Sequence, residues 1–233
     1  MKCFACSKLS LRLKHVIFLR YFKKTPKLLE PVTRAYERRL NQFGNDARGV
    51  FWQNKEYQFK RFEILSRIFD PEHNDQDIAI HDFGCGYGAL FDYLTDKSIM
   101  TNAHYIGTDM SSQMITAARQ KTNDPRAKFR CDMEAVDITD YTLVSGTFNM
   151  HLGQNEEEWE AYIKDSLMQL WSKTRVGLAF NMLRNNTQNI YDGLFYINGH
   201  DLFDFCATRL SSNVVIQNDG PLLPDWTFYI RKE

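Results

Sequence analysis

Apolar side chains in residues 57–69, YQFKRFEILSRIF, recur at the spacing of a helix, with Phe59, Phe62, Leu65, Ile68 and Phe69 on one face. The same amphipathic pattern runs from Pro31 to Ile68, broken at 43–49, FGNDARG, a cluster of turn formers. At 70–77, DPEHNDQD, proline and clustered polar residues stop the helix. Beyond residue 77 the pattern changes. Short apolar runs at 78–83, 104–109, 127–131, 142–146, 175–182, 213–218 and 226–231 read as strands. Helical segments at 87–96, 111–121, 156–172 and 199–207 fall between most of them. Strands alternating with helices predict parallel βαβ units with right-handed crossovers. The last two strands are joined by NDGPLLPD, too short for a helix, so the final strand is expected to run antiparallel.

Composition narrows the class. With 233 residues, 43% apolar and 25% charged, the chain suits one globular core with at most an appendage. No run approaches the length of a membrane-spanning helix. Cys3, Cys6, Cys85, Cys131 and Cys206 are odd in number and scattered, as expected of free thiols in a reducing, cytoplasmic setting. Cys3 and Cys6 form a lone CxxC without a second pair or histidine cluster, so no metal site is expected. The net charge of zero is unevenly spread: residues 1–27 carry eight basic residues and no acid, leaving 21 bases against 29 acids, a net of −8. An acidic body argues against a nucleic-acid partner. The basic head, which carries interspersed leucines and aromatics, is expected to be a solvated helical extension. A second reading is weak peripheral contact with a partner or the inner face of a membrane. The domain expectation is an extension over 1–50 and one catalytic domain over 51–233.

The candidate chemistry begins at His81–Ala89, HDFGCGYGA, directly after the apolar run DIAI. Gly84, Gly86 and Ala89 match the G-x-G-x-x-[GA] loop of dinucleotide sites, a weak signal alone. Asp82 precedes the first glycine and Gly88 extends the spacing to D-x-G-x-G-x-G. The next acid at a strand end, Asp109, follows Gly84 by 25 residues and suits a pair of ribose hydroxyls. A carboxylate at Asp82 would repel a pyrophosphate but welcome an amino group. A nicotinamide-dependent oxidoreductase stays open as the alternative, as does a silent cofactor-binding scaffold.

HDFGCGYG, YIGTDMSSQMI, FRCDME and YTLVSGTFNM, in this order and spacing, resemble four motifs of the class I S-adenosylmethionine-dependent methyltransferases. FWQNKEYQFKRFEIL and SGTFN resemble a largely uncharacterised bacterial branch of that class. The resemblance covers about residues 50–233. It implies an α/β fold: a doubly wound, seven-stranded, mostly parallel sheet with an antiparallel last strand, preceded here by a helical extension. The implied cofactor is S-adenosylmethionine. Asp82 would hold its amino group, and Gly84, Cys85, Gly86 and Gly88 would form the loop along its backbone. Asp109 would take the ribose, Met110 would lie against the adenine, and Asp132 and Met133 would meet the adenine edge. Ser145 and Gly146 would line the methionine end. Trp52, Gln58 and Arg61 extend this set, with Arg61 as partner of the cofactor carboxylate.

Methyl transfer to a hydroxyl or a protonated amine also needs a base. His151, beyond the fourth main strand, is the first candidate and His200 the second; Tyr57, Tyr87, Phe148 and Tyr191 are candidate pocket walls. SGTF stands where methyltransferases of exocyclic nucleic-acid amines usually carry N/D-P-P-Y/F/W. The expected acceptor is therefore a small molecule, a sugar or a lipid-like compound, covered by 184–198.

Overall fold

The computed structural model describes residues 27–187, 189–218 and 224–233. The CxxC pair and all of the basic head except Lys27 lie outside the described residues. Helix α1 occupies 27–43 and α2 Lys55–Leu65, with one 3-10 turn over Ala47–Val50 between them. There follow β1 (Ala79–Phe83), α3 (Ala89–Leu94), β2 (His104–Asp109), α4 (Ser112–Lys121), β3 (Ala127–Cys131) and β4 (Thr139–Val144). The remainder is α5 (Glu156–Lys173), β5 (Thr174–Arg184), β6 (Tyr196–Ile197), α6 (Gly199–Arg209), β7 (Val214–Gln217) and β8 (Asp225–Arg231).

Local chemistry sets the helix starts. Asn54, Ser111 and Asn155 each accept a backbone N–H of the first turn through the side chain, at 2.9 Å for Asn54, 3.2 Å for Ser111 and 2.9 Å for Asn155. Three acids, Glu156, Glu157 and Glu158, occupy the first turn of α5, where the positive end of the helix dipole favours them.

The sheet runs β3-β2-β1-β4-β5-β8-β7, with β6 beside β5. The first five strands are parallel, and β8 runs antiparallel to both β5 and β7. The seven strands, mostly parallel with the last antiparallel, are as expected; β6 is an eighth strand that the hydrophobic pattern did not reveal. It is two residues long, too short for alternation to show. The strand expected at 142–146 lies at Thr139–Val144. Its start was hidden by Asp140, a polar residue held inside the sheet by the Ala79 N–H at 2.8 Å and Arg175 at 2.8 Å. Its end comes early because Gly146 turns into the left-handed region at φ 70°.

Strand residues alternate between two cores. One packs Phe62, Leu65, Leu90, Leu94, Ile115 and Ala118 of α2, α3 and α4 on Ile80, Tyr105, Tyr141 and Leu143. The other packs Leu29, Val32, Trp159, Ile163, Leu202 and Cys206 of α1, α5 and α6 on Phe83, Val144, Leu178 and Phe180. Residues 132–138 connect β3 to β4 without a helix, and the Gln169 amide of α5 clasps them at the Ala135 N–H (3.0 Å) and C=O (2.8 Å). Among the described residues no helix is long and apolar enough to cross a membrane.

Phe180 of β5 stacks on Phe228 of β8 at 4.7 Å with both rings fully buried. Phe180→Ala is expected to lower unfolding stability by about 3–5 kcal/mol, read as an earlier urea midpoint.

Candidate functional site

The strands β1 and β4 are neighbours whose onward connections leave in opposite directions along the sheet, so a crevice opens at their carboxyl ends. The glycine loop occupies it. Gly84, Gly86 and Gly88 have φ of 75°, 54° and 80°, a conformation that side-chain-bearing residues rarely adopt. The amides of Gly84 and Cys85 both donate to the Thr108 carbonyl, at 2.8 and 2.9 Å, tying the loop to β2.

Asp109, the last residue of β2, is aimed by two backbone donors. Its Oδ2 accepts the Gly86 N–H at 2.9 Å and its Oδ1 the Ser111 N–H at 2.8 Å. Burial raises its pKa, and these two donors offset part of the rise. Asp132 follows β3; its Oδ1 accepts the amides of Met133 (2.8 Å) and Glu134 (3.2 Å). Asp82, 2% exposed, takes a short hydrogen bond from the Tyr105 hydroxyl. Burial, with Asp109 nearby adding to it, pushes Asp82 up to about 7 against the pull of the Tyr105 hydrogen bond.

From the other side, the Gly146 N–H donates to Asn181 of β5 at 2.8 Å, and the buried Ser145 hydroxyl has no hydrogen-bond partner among the described residues. The Trp52 indole lies directly over Gly146, where an added Cβ would stand 2.6 Å from the ring. These groups line one cavity of about 1010 Å³, open solvent at its mouth included.

Of the residues expected at a cofactor, Trp52, Gln58, Asp82, Gly84, Cys85, Gly86, Asp109, Met110, Asp132, Met133, Ser145 and Gly146 all line this cavity. Gly88 does not; it caps α3, and a Cβ there would press on the Phe129 ring at 3.0 Å. Arg61 is also outside the wall. Its Nε donates to Asp225 of β8 at 2.7 Å, both side chains are buried, and its guanidinium lies 4.5 Å from the centre of the Trp52 ring. The expectation that Arg61 meets the cofactor carboxylate finds no support in the wall, since a resident acid already holds that cation.

His151 likewise stands away from the wall; its ring packs near Trp159 and Phe195, and its Nδ1 lies 3.1 Å from the Gln154 carbonyl. His200 is exposed at the start of α6. Tyr87 lines the cavity, donating to Gln58 at 3.2 Å, whereas Phe148 is fully buried and Tyr191 is 63% exposed.

Part of the wall was not anticipated. Leu29, Val32, Thr33 and Tyr36 of α1 close one side, and Trp159 and Tyr162 of α5 contribute elsewhere. The Ser111 hydroxyl donates to Glu37 at 2.9 Å, tying α1 to the start of α4. The helical spacing of Leu29, Val32 and Tyr36 was readable, but periodicity does not say what a helix covers.

Comparisons with known proteins agree with this geometry. A family model described as "Methyltransferase domain" matches residues 80–170. A Mycobacterium tuberculosis protein named "Putative methyltransferase Rv1506c" is 36% identical over 157 residues, 66% of this chain and 93% of that protein. The magnesium protoporphyrin IX methyltransferase of Synechocystis PCC 6803, solved with bound S-adenosylmethionine, has a TM-score of 0.55 at 14% identity, over 76% of this chain and 79% of that one. The plantazolicin methyltransferase, solved with S-adenosylhomocysteine, has a TM-score of 0.55 at 17% identity, over 91% and 99%. At such identities the structural likenesses show the fold. With the extent of the curated match and the four ordered motifs, the chain belongs to the methyltransferase family, in its class I, S-adenosylmethionine-dependent form.

Proposed function

We propose that this protein transfers a methyl group from S-adenosylmethionine to a small acceptor with an apolar body, lipid-like compounds being favoured over sugars. The observation that carries the cofactor half is Asp109. Two N–H donors hold its carboxylate oxygens in the cavity, and each oxygen keeps acceptor capacity for a ribose hydroxyl. Met110 and Met133 offer apolar surface at the adenine end, with Asp132 beside them. Asp82 offers a carboxylate to the amino group, and Trp52 and Gly146 bound the methionine end.

When bound, the cofactor supplies a methyl group already activated on a sulfonium. The chain's own contribution is then orientation and exclusion of water. Trp52, Trp159 and Tyr162 present aromatic surface to the cavity, and an aromatic face favours a nearby cation.

The acceptor reading rests on the wall chemistry. Leu29, Val32, Phe83, Met133, Trp159 and Tyr162 are apolar or aromatic, and the described wall contains no lysine, arginine or histidine. An acceptor bearing phosphate would meet three carboxylates and no cation there. An uncharged acceptor whose nucleophilic atom needs no protein base suits the same wall, since His151 stands outside it.

Asp109→Ala is expected to weaken S-adenosylmethionine binding by about a hundredfold or more, since two charged hydrogen bonds of roughly 1.5–3 kcal/mol each are lost. Calorimetric titration measures this, and unchanged affinity in a folded variant removes the cofactor assignment. Gly146→Ala places a methyl group against the Trp52 indole at a left-handed position. It is expected to weaken cofactor binding about tenfold by displacing the Trp52 ring from the cavity wall, while the left-handed strain of roughly 1–2 kcal/mol lowers folding stability. Incubating the protein and methyl-labelled cofactor with cell extract should place the label in the low-mass, solvent-extractable fraction. Label recovered in nucleic acid or protein overturns the acceptor class.

A further inference from the structure

The hydrogen bond between Tyr105 and Asp82 has a use beyond packing. Tyr105 is the second residue of β2, opposite Ile80 of β1, and is fully buried with its ring edge-on to Phe91 and Phe129. Its hydroxyl therefore has little freedom, and it donates to Asp82 Oδ2. Asp82 accepts no other hydrogen bond among the described residues, and its side chain lines the cofactor cavity. One oxygen is tied from behind while the other is left for a ligand.

The charged and titratable surroundings leave this donor without a substitute. Asp109 approaches from the end of β2 and repels negative charge on Asp82, while the Cys85 thiol of the loop, pushed up by burial and by both carboxylates, stays neutral and supplies no cation. Lys121, the cation felt by Cys85, is bound to Asp92 at 2.5 Å and to the Gly88 carbonyl at 3.1 Å. From α2, Arg61 is paired with Asp225. Gln58 and Phe62, the members of α2 that do line the wall, are uncharged.

We propose that Tyr105 is a positioning residue for the cofactor: its hydroxyl orients Asp82 and favours the ionised carboxylate that receives the amino group of the methionine end. This rests on the reading that Asp82 faces that amino group. Burial holds Asp82 at about 7, so its ionised fraction, and with it the affinity for an ammonium group, rises across neutral pH. Removing the donor raises that midpoint further, since a hydrogen bond to the charged form is lost.

The test compares S-adenosylhomocysteine, which carries the amino group, with 5′-methylthioadenosine, which lacks the amino-acid part. Both are titrated calorimetrically from pH 6 to 8 against wild type, Tyr105→Phe and Asp82→Asn. A rise of one pH unit in the Asp82 midpoint makes Tyr105→Phe about five- to tenfold weaker for S-adenosylhomocysteine at pH 6–7 and about twofold weaker at pH 8. 5′-Methylthioadenosine is expected to bind wild type and Tyr105→Phe alike at every pH, which also reports that the variant is folded. Asp82→Asn is expected to flatten the low-pH limb. If Tyr105→Phe matches wild type while Asp82→Asn is flat, the role of Tyr105 is overturned and the Asp82 reading stands. If Asp82→Asn keeps the wild-type profile, the Asp82 reading itself fails. Equal weakening of both ligands at all pH values makes Tyr105 a packing residue only.

Discussion

Three carboxylates, Asp82, Asp109 and Asp132, stand near the ends of three adjacent parallel strands and share one cavity with no cationic side chain in its described wall. Like charges crowded in a partly dry crevice repel one another and lose solvation, and the sheet end has to offset both costs. It does so with oriented donors. The amides of Gly86 and Ser111 serve Asp109, those of Met133 and Glu134 serve Asp132, and the Tyr105 hydroxyl serves Asp82. Donors alone do not cancel the charge, so the crevice is left suited to a ligand with hydroxyls, an amine and a positive sulfur. The left-handed glycines belong to the same arrangement, since the turn they form carries the Gly86 amide that donates to Asp109.

A second constraint acts from the side. Trp52 is pressed between Gly146 and the Arg61 guanidinium, and Arg61 is held by Asp225 on β8. The last strand thereby reaches the cavity wall through a buried ion pair, a packed indole and a glycine. Gly146 is steadied from the opposite direction by Asn181 of β5. Helix α1 adds the remaining wall and is tied down through Glu37 and Ser111.

Much of this was legible in the chain. Asp82, the glycines and Asp109 announce themselves because a parallel strand must end in a turn, and the turn residues and the acid at its edge lie within a few positions of each other. The expected residues that the fold places outside the wall have a different character. Arg61 and His151 were assigned roles from their neighbourhood in sequence, but the partners that claim them are distant in the chain or on another element: Asp225 for Arg61, and Trp159 and Phe195 for His151. Tyr105 drew no attention because an aromatic residue in a strand reads as core, and its hydroxyl's partner lies on the neighbouring strand.

By itself the sequence determined the alternation of strands and helices, the antiparallel last strand and the loop with its acids. Each of these depends on contacts or backbone conformations within a short stretch. Only the tertiary structure decided which side chains face the cavity and which are spent on one another. A buried charge takes whatever opposite charge or donor the packing brings within about 3 Å, and that choice is made across the sheet and not along the chain. The same folding turns α1 from an amphipathic helix of unknown purpose into a wall of the site, because its apolar face has to be covered and the crevice beside Phe83 and Trp159 is where it fits.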